Sequence, residues 1–181
     1  PEGKGARGVR VLTEKSDRYD LLFNGRPFAK FISMDELKST VGKKEIPALM
    51  IMEYLDGVEL KIDPVLQNGE ILTCSVKNRL NFASGLAMGF EMIKDNAALD
   101  YAKKLLEHLP MDYCIDISTR GGVLMEINPR VSTYIYGENY CAPYLSLKLA
   151  MGEMSADEVR NYQKELPIGK KMFRYYGQID Y

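Results

Sequence analysis

The chain has 181 residues and a nearly balanced charge, with 24 lysines and arginines against 25 aspartates and glutamates. That length suits one good-sized domain or two small lobes, and the balance leaves no broad basic footprint for nucleic acid. Three cysteines (Cys74, Cys114 and Cys141) with no Cys-x-x-Cys pair argue for reduced thiols in a cytoplasmic protein, not a disulfide scaffold or a zinc site.

No apolar run reaches membrane-spanning length, and no signal peptide is visible. The chain opens at Pro1 directly on a glycine-rich stretch, so we read it as part of a longer unit. Glu2-Gly-Lys-Gly-Ala-Arg-Gly8 leads into the strand-like Val9–Leu12. Consecutive N–H groups in such a loop can cradle phosphate, and Lys4 and Arg7 add positive charge. A plain flexible terminus explains the same residues. The P-loop is excluded, because no Gly-Lys-Ser/Thr opens a helix.

Tyr19–Phe23 and Arg26–Ile32 flank Asn24-Gly25, a hairpin signal. Ser33-Met-Asp-Glu36 is a capping box that opens a short helix, and Gly42 stops it. Ala48–Met52 is a continuous apolar run and predicts a buried strand. Val58–Asp63 then alternates, with Glu59, Lys61 and Asp63 on one face and Leu60 and Ile62 on the other. Asn68-Gly69 turns a second hairpin, whose return strand runs from Glu70 to about Leu80 and sets Thr73, Ser75, Lys77 and Arg79 on one face. Residues 81–92, with Gly85 and Gly89, read as a flexible connection.

Asp95 or Asn96 caps a helix that runs to about Leu109, with Ala98, Ala102, Leu105 and Leu109 as its buried stripe and Leu99 and Leu106 beside them. His108 falls on the polar side of that helix, which discounts a Ser-His-Asp hydrolase. Tyr113–Ser118 and Gly122–Arg130 are two further strands around Thr119-Arg-Gly-Gly122. Glu126, Asn128 and Arg130 are spaced by two, so a strand puts them on one face, while Met125 and Ile127 point into a core. A three-residue loop of Arg120, Gly121 and Gly122 pairs Thr119 with Val123. Counting back along both strands then sets Asp116 opposite Glu126, with Cβ atoms roughly 5 Å apart. Like charges so placed repel, and a hard cation such as Mg²⁺ between two carboxylates and an amide oxygen removes that cost. A solvated strand face is the other reading. A two-residue turn would put Asp116 and Glu126 on opposite faces.

Residues 131–139 form a tyrosine-rich loop. Pro143 suits the first turn of a helix through Met151, with Gly152 ending it. Ser155-Ala-Asp-Glu158 is another capping box, for a helix stopping near Pro167. Residues 172–181 read as a strand. Hairpins and alternation with few helices predict an α+β fold, an antiparallel sheet backed by helices.

Glu126-Ile-Asn-Pro-Arg130, preceded by Asp116, resembles the metal-binding end of an ATP-grasp domain, in the branch of carbamoyl-phosphate synthase large subunits and related carboxylate–amine ligases. Met52-Glu-Tyr-Leu-Asp-Gly-Val-Glu59 resembles that family's hinge, and residues 2–8 its glycine-rich loop. The resemblance covers nearly the whole chain, as the C-terminal part of an ATP-grasp unit. It implies residues 1–47 as part of the small α+β lid lobe and 48–181 as the lobe carrying the metal and ATP site.

The resemblance further implies an ATP- and magnesium- (or manganese-) dependent ligase that forms an acyl-phosphate from a carboxylate or bicarbonate for attack by an amine or ammonia. Gly3, Lys4, Gly5, Arg7 and Gly8 would close over the triphosphate, Glu53, Tyr54 and Leu55 would meet the adenine edge through their backbone, and Glu59 would meet the ribose; a solvated strand residue is the other reading of Glu59. Asp116, Glu126 and Asn128 would hold the metal. Arg130 would contact the transferring group. Arg79 would bind a substrate carboxylate or phosphate, a role that its bidentate fork suits; a surface arginine is the other reading. The partners implied are small-molecule carboxylate and amine substrates and an N-terminal part of the same enzyme, with a homodimer compatible and neither nucleic acid nor membrane. A nucleotide-binding module without catalysis is the alternative.

Overall fold

The structure, a computed structural model, describes residues 9–15, 17, 19, 30–42, 48–83, 86–133 and 137–173, with the backbone alone at 81–83 and 86–87. The glycine-rich loop at 1–8, the hairpin turn at 24–25, the loop at 43–47 and the tail at 174–181 lie outside the described residues. The chain forms two compact units, Pro1–Tyr54 and Leu55–Tyr181.

In the first unit, β1 (Val11–Leu12) pairs in parallel with β2 (Phe31–Ile32). Helix α1 (Met34–Val41) starts as its capping box predicts. The Ser33 hydroxyl accepts from the Glu36 N–H at 3.2 Å, and the Glu36 carboxylate accepts from the Ser33 N–H at 2.9 Å. The expectation of a buried strand at 48–52 is overturned. These residues form no strand, and Leu49, Met50, Ile51 and Met52 are all exposed, Ile51 at 95%. An apolar run becomes a strand only where a neighbour completes its hydrogen bonds, and no described residue pairs with it.

The second unit is one antiparallel sheet with helices on both faces. Its strands are β3 (Glu59–Gln67), β4 (Glu70–Ala83), β5 (Leu86–Ile93), β6 (Tyr113–Cys114), β7 (Asp116–Arg120), β8 (Val123–Asn128) and β9 (Lys171–Phe173). The order across the sheet is β8-β7-β3-β4-β5-β9, with β6 also paired to β3. The flexible connection expected at 81–92 is therefore mostly strand. Gly89 serves close packing there, because a Cβ at that position would come within 2.7 Å of the Phe173 ring.

Asn68 and Gly69 turn the β3–β4 hairpin with φ of 51° and 80°, the two left-handed residues that a type I′ turn demands. β6 and β7 keep a common register on β3, broken at Ile115. That break falls where Pro64, which has no N–H to donate, stands in the same register on β3.

One sheet face packs Ile62, Leu66, Cys74, Val76, Ile115 and Ile117 against α2 (Asn96–Leu106), which contributes Ala98, Ala102 and Leu106. The stripe steps by four residues to Leu106, and the helix ends there, so Leu109, expected in the stripe, is 38% exposed. Asp95 caps α2, accepting from the Ala98 N–H at 2.9 Å. The opposite face is covered at one end by α3 (Ala142–Ala150) and α4 (Ala156–Asn161), through Val65, Leu72, Tyr140, Leu145, Leu149, Val159 and Leu166. The rest of that face is charged.

Candidate functional site

Gly121 and Gly122 have φ of 56° and 80°, and Arg120 pairs with Val123. The turn is thus two residues long, not three, because two adjacent glycines satisfy both left-handed positions of a tight hairpin. Taken alone, that would separate Asp116 and Glu126. A β-bulge between Ser118 and Thr119 restores the phase: Thr119 pairs with Leu124 and Ser118 with Glu126, so Met125 is the extra residue.

Glu126 and Asn128 therefore do share a face with Asp116, but Asn128 stands opposite Asp116, and Ser118 stands opposite Glu126. The bulge also changes one of the two expected core positions: Ile127 packs on the apolar cluster as expected, and Leu124 takes the place of Met125, which is exposed. Bulges are a common device for re-aiming side chains at functional sites.

On this face the strands carry an ordered array of charges. The Glu59 carboxylate is held between the guanidinium groups of Arg79 and Arg120, the latter at 2.8 Å. Lys61 and Lys77 are cross-strand partners, and each takes its own carboxylate. The Lys61 ammonium lies 3.0 Å from both oxygens of Asp116, contacts the Ser118 hydroxyl, and is 3.6 Å from Glu126. The Lys77 ammonium is 2.8 Å from Asp63, donates to the Thr133 carbonyl at 2.6 Å and sits over the Phe90 ring. Asp116 and Lys77 are both fully enclosed.

Arg130 is largely exposed and donates to Asp116 Oδ2 at 3.3 Å and to the Val131 carbonyl at 3.0 Å. The Lys77 bond to the Thr133 carbonyl holds the backbone three residues beyond Arg130. At the end of the array, Gly57 and Gly121 approach so closely that a Cβ on Gly57 would come within 3.0 Å of the Gly121 Cα, and one on Gly121 would collide with the Asp56 carbonyl. The Gly121 N–H donates to the Val58 carbonyl at 3.1 Å. Immediately before this clamp, Glu53 and Tyr54 are exposed and Leu55 is half-buried.

A protein family described as ATP-grasp in the biosynthetic pathway with Ter operon matches residues 45–170, which holds both the segment before β3 and the whole charged array. The chain belongs to the ATP-grasp family. No curated protein matches it. Membership makes the α+β sheet an ATP-grasp fold and the general activity that of ATP-dependent ligases, which bind ATP and typically Mg²⁺. No described helix is long and apolar enough to cross a membrane.

Asp116, Glu126 and Asn128 offer two carboxylates and one amide, donors that suit a hard cation in kind. Among the described residues no three acidic, histidine or cysteine side chains converge on one point, so Asn128 is needed to complete the set. Asp116 Oδ1 is buried and accepts no hydrogen bond among the described residues, meeting only the charge of Lys61. The Asn128 amide lies 3.3 Å from the other Asp116 oxygen.

Burial alone would raise the Glu126 carboxyl, but the Asn128 amide, the Lys61 ammonium and the Ser118 hydroxyl together hold it below its ordinary value. Asp63 goes the other way, since burial raises it by more than Lys77 lowers it, and the charge of Asp116 adds to the rise. Lys61, Ser118, Lys77, Asp63 and Arg120 complete this charged array beyond the residues that the sequence singles out. For Lys61 and Asp63 the sequence signal is the charged alternation with Glu59; Ser118, Lys77 and Arg120 join through strand pairing.

Proposed function

We propose that this ATP-grasp domain passes the γ-phosphoryl group of ATP to a carboxylate or bicarbonate, and that an amine or ammonia then attacks the acyl-phosphate, as in carboxylate–amine ligases of the carbamoyl-phosphate synthase type. The observation that carries this reading is the convergence of Asp116, Glu126 and Asn128 on one sheet face, with Arg130 reaching the same Asp116 carboxylate.

Asp116, Glu126 and Asn128 would hold Mg²⁺, which supplies charge neutralisation on the phosphates. Such transfers ask the protein mainly for positioning and electrostatic stabilisation. Arg130, already beside the ligand set and mostly exposed, would receive the transferring group. Arg79, fixed by Glu59, would orient the acceptor carboxylate through its fork. The backbone of Glu53, Tyr54 and Leu55 would meet the adenine, and Gly3, Lys4, Gly5, Arg7 and Gly8 the triphosphate. The substrates are a small carboxylate and an amine, and the site is that of a cytoplasmic enzyme.

Calorimetric titration of ATP with and without Mg²⁺, beside ADP release in a screen of carboxylate and amine pairs, tests this. Mg²⁺-dependent binding that disappears in Glu126→Gln, together with acceptor-dependent ADP release, is the expected result. Full activity in Glu126→Gln would sink the metal assignment. A nucleotide-binding module without turnover is the second reading, favoured by the lysine that already satisfies Asp116. Mg²⁺-dependent ATP binding with no ADP release from any pair would select it.

A further inference from the structure

The Lys61 ammonium stands where the cation is needed, within 3.0 Å of both oxygens of Asp116 and 3.6 Å from Glu126. We infer that Lys61 is the resident counter-ion of the metal position, that a divalent ion loads by displacing its ammonium, and that this ties metal binding to the arrival of a polyphosphate. The inference rests on the reading of Asp116, Glu126 and Asn128 as ligands.

Asp116 is buried, and a buried carboxylate stays ionised at low cost only beside a cation; Glu126, at the exposed rim, reaches the same ammonium. Lys61 meets that need when no metal is bound. Its stem rises from β3, so the ammonium can swing while the strand stays fixed, and a flexible four-carbon chain makes that movement easy. Its destination is the informative part. The other carboxylates on this face are engaged: Glu59 by Arg79 and Arg120, and Asp63 by Lys77. A displaced Lys61 ammonium thus has no free carboxylate among its described neighbours.

The array itself is balanced along the strands, with Arg79, Arg120, Lys61 and Lys77 against Glu59, Asp63, Asp116 and Glu126, and Arg130 adds one more positive charge. A divalent ion entering alone leaves this crowded face strongly positive. A polyphosphate arriving with the metal corrects the excess and gives the released ammonium an anion to meet. Metal alone therefore binds weakly, and metal with nucleotide binds tightly. Binding of each favours the other by the same factor, as linkage requires.

Mn²⁺ alone, and ATP at a series of Mn²⁺ concentrations, would be titrated into the wild-type protein and into Lys61→Met, Lys61→Arg and Asp116→Asn, with folding checked by circular dichroism. Lys61→Met should bind Mn²⁺ alone about ten- to hundredfold more tightly, within the range usual for coupled sites, and ATP should then add less. Lys61→Arg, which keeps the charge, should resemble the wild type. If Lys61→Met does not fold, Lys61→Gln removes the charge while keeping a partner for Ser118, and carries the same readout. Unchanged or weaker Mn²⁺ binding in the uncharged variant, with Mn²⁺-dependent ATP binding intact, overturns the Lys61 inference alone. ATP binding that ignores Mn²⁺ in the wild type and is unaffected in Asp116→Asn overturns the site reading and the inference with it.

Discussion

On one face of the central sheet Ile62, Val76 and Ile117 pack against α2; on the other, one residue along each strand, Lys61, Lys77 and Asp116 are just as enclosed. The apolar face is stabilised by area removed from water, about 25 cal/mol per Å² and without direction. The charged face gains little in net stability, because each ion gives up several kcal/mol of hydration that its partner only offsets when the geometry is good. One face is therefore tolerant of shape and costly to empty. The other is tolerant of nothing that leaves a charge alone. A fold that needed only stability would not put four cations in its middle, which is why we read the charged face as the working one.

The sharpest way to break the charged face is Lys77→Met. It removes the cation from Asp63 and the donor from the Thr133 carbonyl. Loss of one partner of a buried pair costs about 3–5 kcal/mol, so the urea midpoint at pH 7 should fall accordingly. The deficit should also depend on pH. The Asp63 carboxyl titrates above its ordinary value because of burial, and without Lys77 it rises further. A group whose folded value is raised favours folding at low pH, and that contribution is lost as pH rises through the raised value. The Lys77→Met deficit should therefore shrink as pH falls toward the acid range, where Asp63 is protonated. An equal deficit at pH 5 and pH 7 would show that packing, not charge, is what Lys77 provides.

On the apolar face, Ile117→Ala should cost about 2–4 kcal/mol, from lost transfer energy plus the cavity left under α2. Ile117→Val should cost about 1 kcal/mol. Both losses should be the same at pH 5 and pH 7, since no titrating group is touched. ATP binding should persist in the folded protein, although Ile117 lies between Asp116 and Ser118. Loss of binding in Ile117→Val would mean that the two faces are not independent.

Much of this division is legible in the sequence, and the exceptions are physical. Asn68-Gly69 specifies its hairpin outright, because few residue pairs accept two left-handed positions. The alternation in Val58–Asp63 specifies the two faces. Gly121-Gly122 admits more than one loop length, so the register of β7 and β8 was not determined by the turn. The bulge at Met125 is set by partner strands, since Leu124 and Ile127 must both reach the apolar cluster while Glu126 and Asn128 face Asp116. No local pattern encodes that requirement. Likewise the run at 48–52 has the composition of a buried strand, but composition does not supply a pairing edge. The placement of Lys61 between Asp116 and Glu126 needed the pairing of β3 with β7, two strands distant in sequence.

A smaller effect than that of Ile117→Ala is expected where the charged face passes under the helices and polarity is handled by hydrogen bonds alone. Cys74 stands opposite Pro64 on β3, in a stretch where proline cannot donate. The Gln163 side chain, on the turn Tyr162–Glu165 after α4, takes both backbone groups of Cys74. Its amide oxygen accepts from the Cys74 N–H at 2.8 Å and from the Thr73 hydroxyl at 2.9 Å, and its amide nitrogen donates to the Cys74 carbonyl at 3.2 Å. An amide thus stands in for a strand neighbour. Gln163→Met keeps the volume and removes donor and acceptor, leaving a buried N–H and C=O unmade. Such groups cost about 1–3 kcal/mol, so a downward shift of that size in the urea midpoint is expected, with no dependence on pH between 5 and 7. Gln163→Ala should cost no less. Wild-type stability in Gln163→Met would mean that water satisfies Cys74 as well as Gln163 does, and that this end of the face is wetter than its hydrogen bonds suggest.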